Sequence, residues 1–183
     1  MRKFLFMSFV LSLTFTLIGC QETKIESSEQ NQLNKDMLNV ETEKSSNLAP
    51  DFTLPLTNGG ELKLADYKGK IVIIDFWATW CPPCRRGIPD LVDIQKKYAE
   101  KVVIIGISLD TETKPDVVPF MKQFGINYPI VYGNMEVVQA YGNVQSIPTS
   151  FIVDQKGQIV DMHIGLVSKA AYVNKIEELL KKS

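Results

Sequence analysis

The sequence predicts an α/β domain, and three observations carry that expectation. Ile71-Val72-Ile73-Ile74-Asp75-Phe76-Trp77 is an apolar, β-branched run that suits a strand buried on both faces. After it, Ile88, Leu91, Ile94 and Tyr98 recur at helical spacing, with Lys96, Lys97 and Glu100 off that stripe. Lys101 to Leu109 is a second near-continuous apolar run, so strand, helix and strand follow one another. That order predicts a right-handed crossover and parallel pairing.

The remaining elements are placed by turn chemistry and spacing. Ala49-Pro50-Asp51-Phe52-Thr53-Leu54-Pro55-Leu56 alternates weakly, Asn58-Gly59-Gly60 signals a turn, and Glu61-Leu62-Lys63-Leu64 alternates again, which predicts an N-terminal β-hairpin. Val117, Phe120, Met121 and Phe124, followed by Gly125, read as a helix and its stop, with Pro119 tolerated only in its first turn. Tyr128 to Tyr132 suggests a short strand and Met135 to Tyr141 a short helix ended by Gly142. Thr149 to Val153 and Gln158 to Ile164, joined by Asp154-Gln155-Lys156-Gly157, predict an antiparallel hairpin. A last helix from about Lys169 is capped by Ser168, with Val173, Ile176 and Leu180 expected to face the sheet.

At 183 residues and 45% hydrophobic composition, the chain has room for one domain with a proper core. A formal charge of −1, spread along the chain, implies no nucleic-acid patch. The N-terminus carries Arg2-Lys3 and then a largely apolar run from Phe4 to Ile18. That run is shorter than the roughly 20 residues a spanning helix needs, so residues 1–19 read as a signal peptide. Leu17-Ile18-Gly19-Cys20 resembles the bacterial lipoprotein box, which implies cleavage before Cys20 and its lipidation; the other reading is a chance cysteine in an uncleaved anchor. Either way the domain is expected outside the cytoplasm, tethered to a bacterial membrane. Polar residues without periodicity follow, so residues 20–48 read as the lipidated cysteine and a disordered tether, and 49–183 as the folded domain.

Trp80-Cys81-Pro82-Pro83-Cys84 sits where the first apolar strand hands over to the helix, with two prolines suited to a helix's first turn. Unpaired N–H groups and the helix dipole there stabilise a thiolate on Cys81, and Cys84 lies one turn in. Three readings stand open: a redox dithiol, a stable disulfide, and half of a metal site. Zinc usually takes four ligands, while the chain offers only Cys20 and His163 besides. Dithiol chemistry is the favoured reading, and it needs neither metal nor cofactor.

The stretch Ile73 to Cys84, with Pro89 further along, resembles the thioredoxin active-site region. Ser146-Ile147-Pro148-Thr149 resembles the cis-proline loop of that fold, and Ile164 to Lys169 the entry to its last helix. The 37 residues between Asp110 and Pro148 exceed what a plain thioredoxin uses there, which implies an inserted helix and strand. With the lead-in hairpin and lipoprotein start, the likeness is to the TlpA/ResA type of membrane-anchored proteins. It implies a thioredoxin fold, a central mixed sheet flanked by helices, with the insertion between its βαβ and ββα halves.

Roles follow from that resemblance. Cys81, first on the helix and expected nearest solvent, is the nucleophile, and Cys84 resolves the mixed disulfide. Asp75 aligns with the buried acid that assists proton transfer at the second cysteine; the plainer reading is an acid at a strand end reaching water. Gly106 stands where many thioredoxins carry a lysine near that acid, so burial is expected to be the main influence on the Asp75 pKa, upward. Trp80, Pro82, Ile147 and Pro148 form the substrate-binding surface, with Trp77 in the core. Arg85 and Arg86 read mainly as solvated charges, and His163 receives no role. Implied partners are secreted or membrane-attached disulfide-containing proteins such as apocytochrome c, a membrane thiol protein that donates electrons, and the bilayer through Cys20, with the protein itself a monomer. Two other readings are a peroxidase, because Ala49-Pro50-Asp51-Phe52 resembles peroxiredoxin starts, and a non-catalytic lipoprotein with a structural disulfide. Peroxiredoxins place Thr or Ser and Pro where this chain has Ala78 and Ile74, which counts against the first.

Overall fold

A computed structural model of the chain describes residues 47–182. The signal peptide over 1–19, Cys20 and the tether as far as residue 46 lie outside the described residues. Strands β1 (Thr53–Pro55) and β2 (Glu61–Lys63) form the expected antiparallel hairpin, and Leu54 and Leu62 point inward from it. The main sheet has the order β5-β4-β3-β6-β7. Its centre is β3 (Ile71–Trp77), parallel to β4 (Val102–Ser108) and antiparallel to β6 (Thr149–Val153). β5 (Ile130–Tyr132) adds in parallel beyond β4, and β7 (Ile159–Ile164) pairs antiparallel with β6.

All seven residues of β3 are buried, because alternate side chains enter two different cores. Ile71, Ile73 and Trp77 meet helix α1 (Pro82–Tyr98) through Ile88, Leu91 and Ile94; α2 (Val117–Phe124) adds Val117 and Phe120 on the same side. Val72, Ile74 and Phe76 face the opposite core, which the hairpin closes with Phe52, Leu54 and Leu62, and α3 (Met135–Ala140) with Val137. Gln95 fixes α1 to β4: its amide donates to the Val102 carbonyl (3.1 Å) and its oxygen accepts from Ile104 N–H (2.8 Å).

Three details depart from the sequence reading. β5 begins at Ile130 and not at Tyr128; Pro129, with no N–H to give, precedes it, while the Tyr128 ring is buried. Helix α4 (Lys169–Lys181), capped by Ser168, buries Tyr172, Ile176 and Leu179, leaving Val173 and Leu180 half-buried at its flanks. The stripe is turned because Tyr172 enters the core and its hydroxyl meets Ser150 at 2.7 Å. Backbone pairing already begins at Asn47 and Leu48: the Asn47 carbonyl accepts from Ile159 N–H at 2.7 Å, and Leu48 bridges to Gln158. Among the described residues no helix is long and apolar enough to cross a membrane.

Candidate active site

β3 ends at Trp77, and a tight turn closed by Cys81 N–H to the Ala78 carbonyl (3.2 Å) delivers the chain to α1. Cys81 is the residue that caps this helix, with extended backbone, and Pro82 and Pro83 are the first two helical residues. Neither proline has an N–H, so Cys84 supplies the donor: its N–H reaches the Cys81 sulfur at 3.3 Å. The two sulfurs are joined as a disulfide between Cα atoms 5.3 Å apart. Cys81 is 2% exposed and Cys84 4%, so the expectation that Cys81 lies nearest solvent is corrected. The cap position tucks its side chain back over the first turn, against the loop that follows.

That loop carries Pro148, whose peptide bond with Ile147 is cis. It places the Ile147 carbonyl oxygen 3.6 Å from the Cys81 sulfur, and the Pro148 carbonyl accepts from Gly165 N–H at 2.8 Å. Pro148 is buried, Ile147 half-buried and Pro82 exposed. Trp80 is 59% exposed beside the cap, whereas Trp77 is buried against Phe120, its ring centroid 5.3 Å away. The two tryptophans thus take the rim and core places expected of them.

Asp75 lies on β3 between Gly106 of β4 and Ser150 of β6. A cavity of about 20 Å³ is lined by Asp75, Cys84, Pro148, Leu166 and Tyr172, which is room for one water molecule. Burial pushes the Asp75 carboxyl up to about 7, with no donor or neighbouring cation to offset it. Position 106 offers no seat for a cation: a Cβ there would stand 2.4 Å from the end of Ile130 and 3.0 Å from the Trp77 indole nitrogen. A group poised near neutrality beside Cys84 can take up and return a proton there.

Several neighbours escape a reading of the sequence. Asp110, just beyond β4, accepts from Thr79 N–H (3.0 Å) and from the hydroxyls of Thr79 (2.5 Å), Ser108 (2.9 Å) and Thr113 (2.6 Å). It ties the turn before the dithiol to the end of β4. The Arg85 guanidinium rests over the rings of Phe120 and Phe124, 5.6 and 5.5 Å from their centroids, which ties α1 to α2. The spacing of aromatics in the inserted helix was the available signal, but it named no partner. His163 packs edge-on against Tyr172 (5.6 Å), stands across the β6–β7 ladder from Ser150 and lies 3.6 Å from Asp161. Among the described residues no cluster of His, Cys, Asp and Glu suits a metal.

The AhpC/TSA family model matches residues 46–162. That span includes the peroxiredoxin-like start at Ala49, while Ile74 and Ala78 are fully buried and apolar. The thioredoxin-like protein YneN of Bacillus subtilis (strain 168) is 37% identical over 131 residues, covering 70% of this chain and 76% of that protein. The thiol-disulfide oxidoreductase ResA of the same organism is 35% identical over 134 residues, 70% of this chain and 74% of its own. A thiol:disulfide interchange protein of the thioredoxin family from Chlorobium tepidum TLS superposes with a TM-score of 0.69 at 35% identity, over 74% of this chain and 97% of that one. The exposed lipoprotein thioredoxin Etrx1 of Streptococcus pneumoniae strain TIGR4 does so at 0.63 and 30% identity, over 71% of this chain and 100% of that one. On these likenesses the chain belongs to the AhpC/TSA family, as a thiol-disulfide oxidoreductase of the TlpA/ResA type.

Proposed function

We propose that the protein works outside the cytoplasm as a membrane-anchored reductase of protein disulfides, held by a lipidated Cys20 and a tether that ends where backbone pairing begins, at Asn47. Its substrates are secreted or membrane-attached cysteine proteins, apocytochrome c among them, and a membrane thiol protein returns electrons to it. One observation carries the direction of the reaction: with Pro82 and Pro83 in the first turn, Cys84 N–H is the nearby helical donor to the Cys81 sulfur. Fewer donors leave the thiolate less stabilised, which disfavours the dithiol form and makes it the better electron donor.

In the cycle, the Cys81 thiolate attacks a substrate disulfide, forming a mixed disulfide and releasing one substrate sulfur as thiolate. Cys84 then gives its proton to Asp75 and attacks the Cys81 sulfur. The Cys81–substrate bond breaks, the second substrate sulfur leaves and is protonated, and the Cys81–Cys84 disulfide forms. Two electrons have passed to the substrate, and the disulfide described above is the oxidised product of that turnover. Trp80 and Pro82 supply exposed docking surface, and the loop of half-buried Ile147 and buried Pro148 turns the Ile147 carbonyl toward the reacting sulfur.

Cys81→Ser is expected to abolish reduction of insulin disulfides, while Cys84→Ser accumulates a mixed disulfide through Cys81. Trapping through Cys84 in the Cys81 variant would reverse the two roles, and loss of neither activity would leave a structural disulfide. Cys20→Ala is expected to move the protein from the membrane fraction to the soluble one with its specific activity intact; retention would mean an uncleaved anchor.

A further inference from the structure

The small cavity beside Cys84 has a wall that the reaction above does not use. Tyr172, from α4, lines it together with Asp75 and Cys84, and is itself only 6% exposed. Its hydroxyl lies 2.7 Å from the hydroxyl of Ser150, which is 2% exposed and stands directly across from Asp75 in the β3–β6 ladder. Two hydroxyls sharing one hydrogen bond hold two protons, of which the bond uses one. Either oxygen can be the donor in this pair.

That freedom gives the pair two settings. When Ser150 donates to Tyr172, the phenol proton is free to point into the cavity, toward a carboxylate at Asp75 or a single water between them. When Tyr172 donates to Ser150, the phenol oxygen faces the cavity with lone pairs that accept from a protonated Asp75. An enclosed carboxylate without donors is costly, so the first setting favours the charged form. We propose that the Ser150–Tyr172 hydroxyl pair is a positioning device that reorients to serve Asp75 in both of its protonation states as the proton from Cys84 arrives and leaves.

The charges around the pair fit this use. Burial first, and then Asp75, push the Tyr172 phenol upward, so it keeps its proton across the working range and remains a donor. Tyr128, leading into β5, is likewise raised by burial and by Asp75 and stays neutral. Cys84 faces Asp75 from α1, and β4 contributes only Gly106. β7 brings His163, across the ladder from Ser150 and edge-on to Tyr172, and Asp161, with Lys175 of α4 4.0 Å from Asp161.

The inference rests on Asp75 accepting the Cys84 proton, and one assay separates the two ideas. Reduced protein is mixed with an aryl disulfide that releases a coloured thiolate. Cys81 attack releases one equivalent and leaves a mixed disulfide; Cys84 attack on the Cys81 sulfur releases the second and closes the Cys81–Cys84 bond. The pH profile of the second phase reports the proton step. Tyr172→Phe, which keeps the ring, is expected to move the midpoint of that profile up by about one unit and slow the second phase about tenfold at pH 7, the size of one hydrogen bond to a charged group. The first phase should be unchanged, and Ser150→Ala should shift the second in the same direction by less. An unmoved second-phase profile in Tyr172→Phe, or an equal change in both phases, would overturn the proposal. If Asp75→Asn also leaves the second-phase profile unmoved, the assignment of Asp75 as proton acceptor falls with it; if Asp75→Asn removes the profile and Tyr172→Phe does not move it, only the hydroxyl pair is refuted.

Discussion

Asp75 and Asp110 are each 5% exposed, and both belong to the neighbouring strands β3 and β4 or their immediate ends, yet they are surrounded in opposite ways. Asp110 accepts hydrogen bonds from Thr79, Ser108 and Thr113 on both of its oxygens. Asp75 is raised by burial, and opens on a cavity shared with a cysteine. Burial alone therefore does not decide what a carboxylate does. Direct hydrogen bonds on both oxygens make it a clamp, and burial beside a small cavity makes it a proton acceptor with a cost to the fold.

The largest effect expected from that contrast is in the pH dependence of stability. Below pH 3.8 the Asp75 carboxyl is protonated in both folded and unfolded chains and contributes nothing to the difference. Between 3.8 and about 7 the folded protein keeps a proton that the unfolded chain has released, so stability falls as pH rises through that window and levels off above it. A shift from 3.8 to about 7 corresponds to roughly 4 kcal/mol over the window. Asp75→Asn should remove this slope, which urea denaturation at a series of pH values will measure; an identical slope in the variant would mean that Asp75 is not the group responsible.

Asp110→Ala should cost somewhat less but at every pH, about 3 kcal/mol, because it strands buried donors on Thr79 and Ser108. Its activity should fall as well, since the turn carrying Cys81 loses its tie to β4. A loss under about 1 kcal/mol would mean that other contacts hold the turn. Gly106→Ala comes next, about 1–2 kcal/mol, because the added methyl meets the ends of Ile130 and Trp77. It should leave the Asp75 midpoint in place, as it brings no charge. Smallest is Trp80→Ala: stability within about 0.5 kcal/mol, as for other exposed positions, but a raised KM for protein disulfides and little change for a small aryl disulfide. Equal losses on both substrates would remove Trp80 from the docking surface.

Much of this arrangement was legible in the chain because it is written locally. β3, α1 and the place of Cys81 between them follow from a run of apolar residues, a helical stripe and two prolines within 28 residues of sequence, 71–98. The upward direction of Asp75 was legible too, since a carboxylate in a fully apolar strand with glycine opposite has only burial to respond to. Asp110 was not. Its partner Thr79 lies 31 residues away, and nothing in Ser108-Leu109-Asp110-Thr111 marks the acid as anything but a loop residue. Tyr172 was not legible for a different reason: Val173 and Leu180 make an equally good apolar stripe in sequence, whereas the buried face is Tyr172, Ile176 and Leu179, with the Tyr172 hydroxyl meeting Ser150 across the core. The burial of Cys81 was not legible because its sulfur lies against the Ile147 carbonyl, contributed 66 residues later.

The reducing character of the dithiol depends on the same logic of donors, applied to sulfur. Cys81 has the Cys84 N–H and the helix dipole, and two prolines where other donors would stand. Its thiolate is then less stabilised than one at a helix start that keeps its full set of N–H donors. The most direct test is the reduction potential, obtained by equilibrating the protein with glutathione buffers of graded composition and quantifying the Cys81–Cys84 disulfide. A value nearer about −270 mV than about −120 mV is predicted, and one above about −160 mV would make the protein an oxidant and contradict the account.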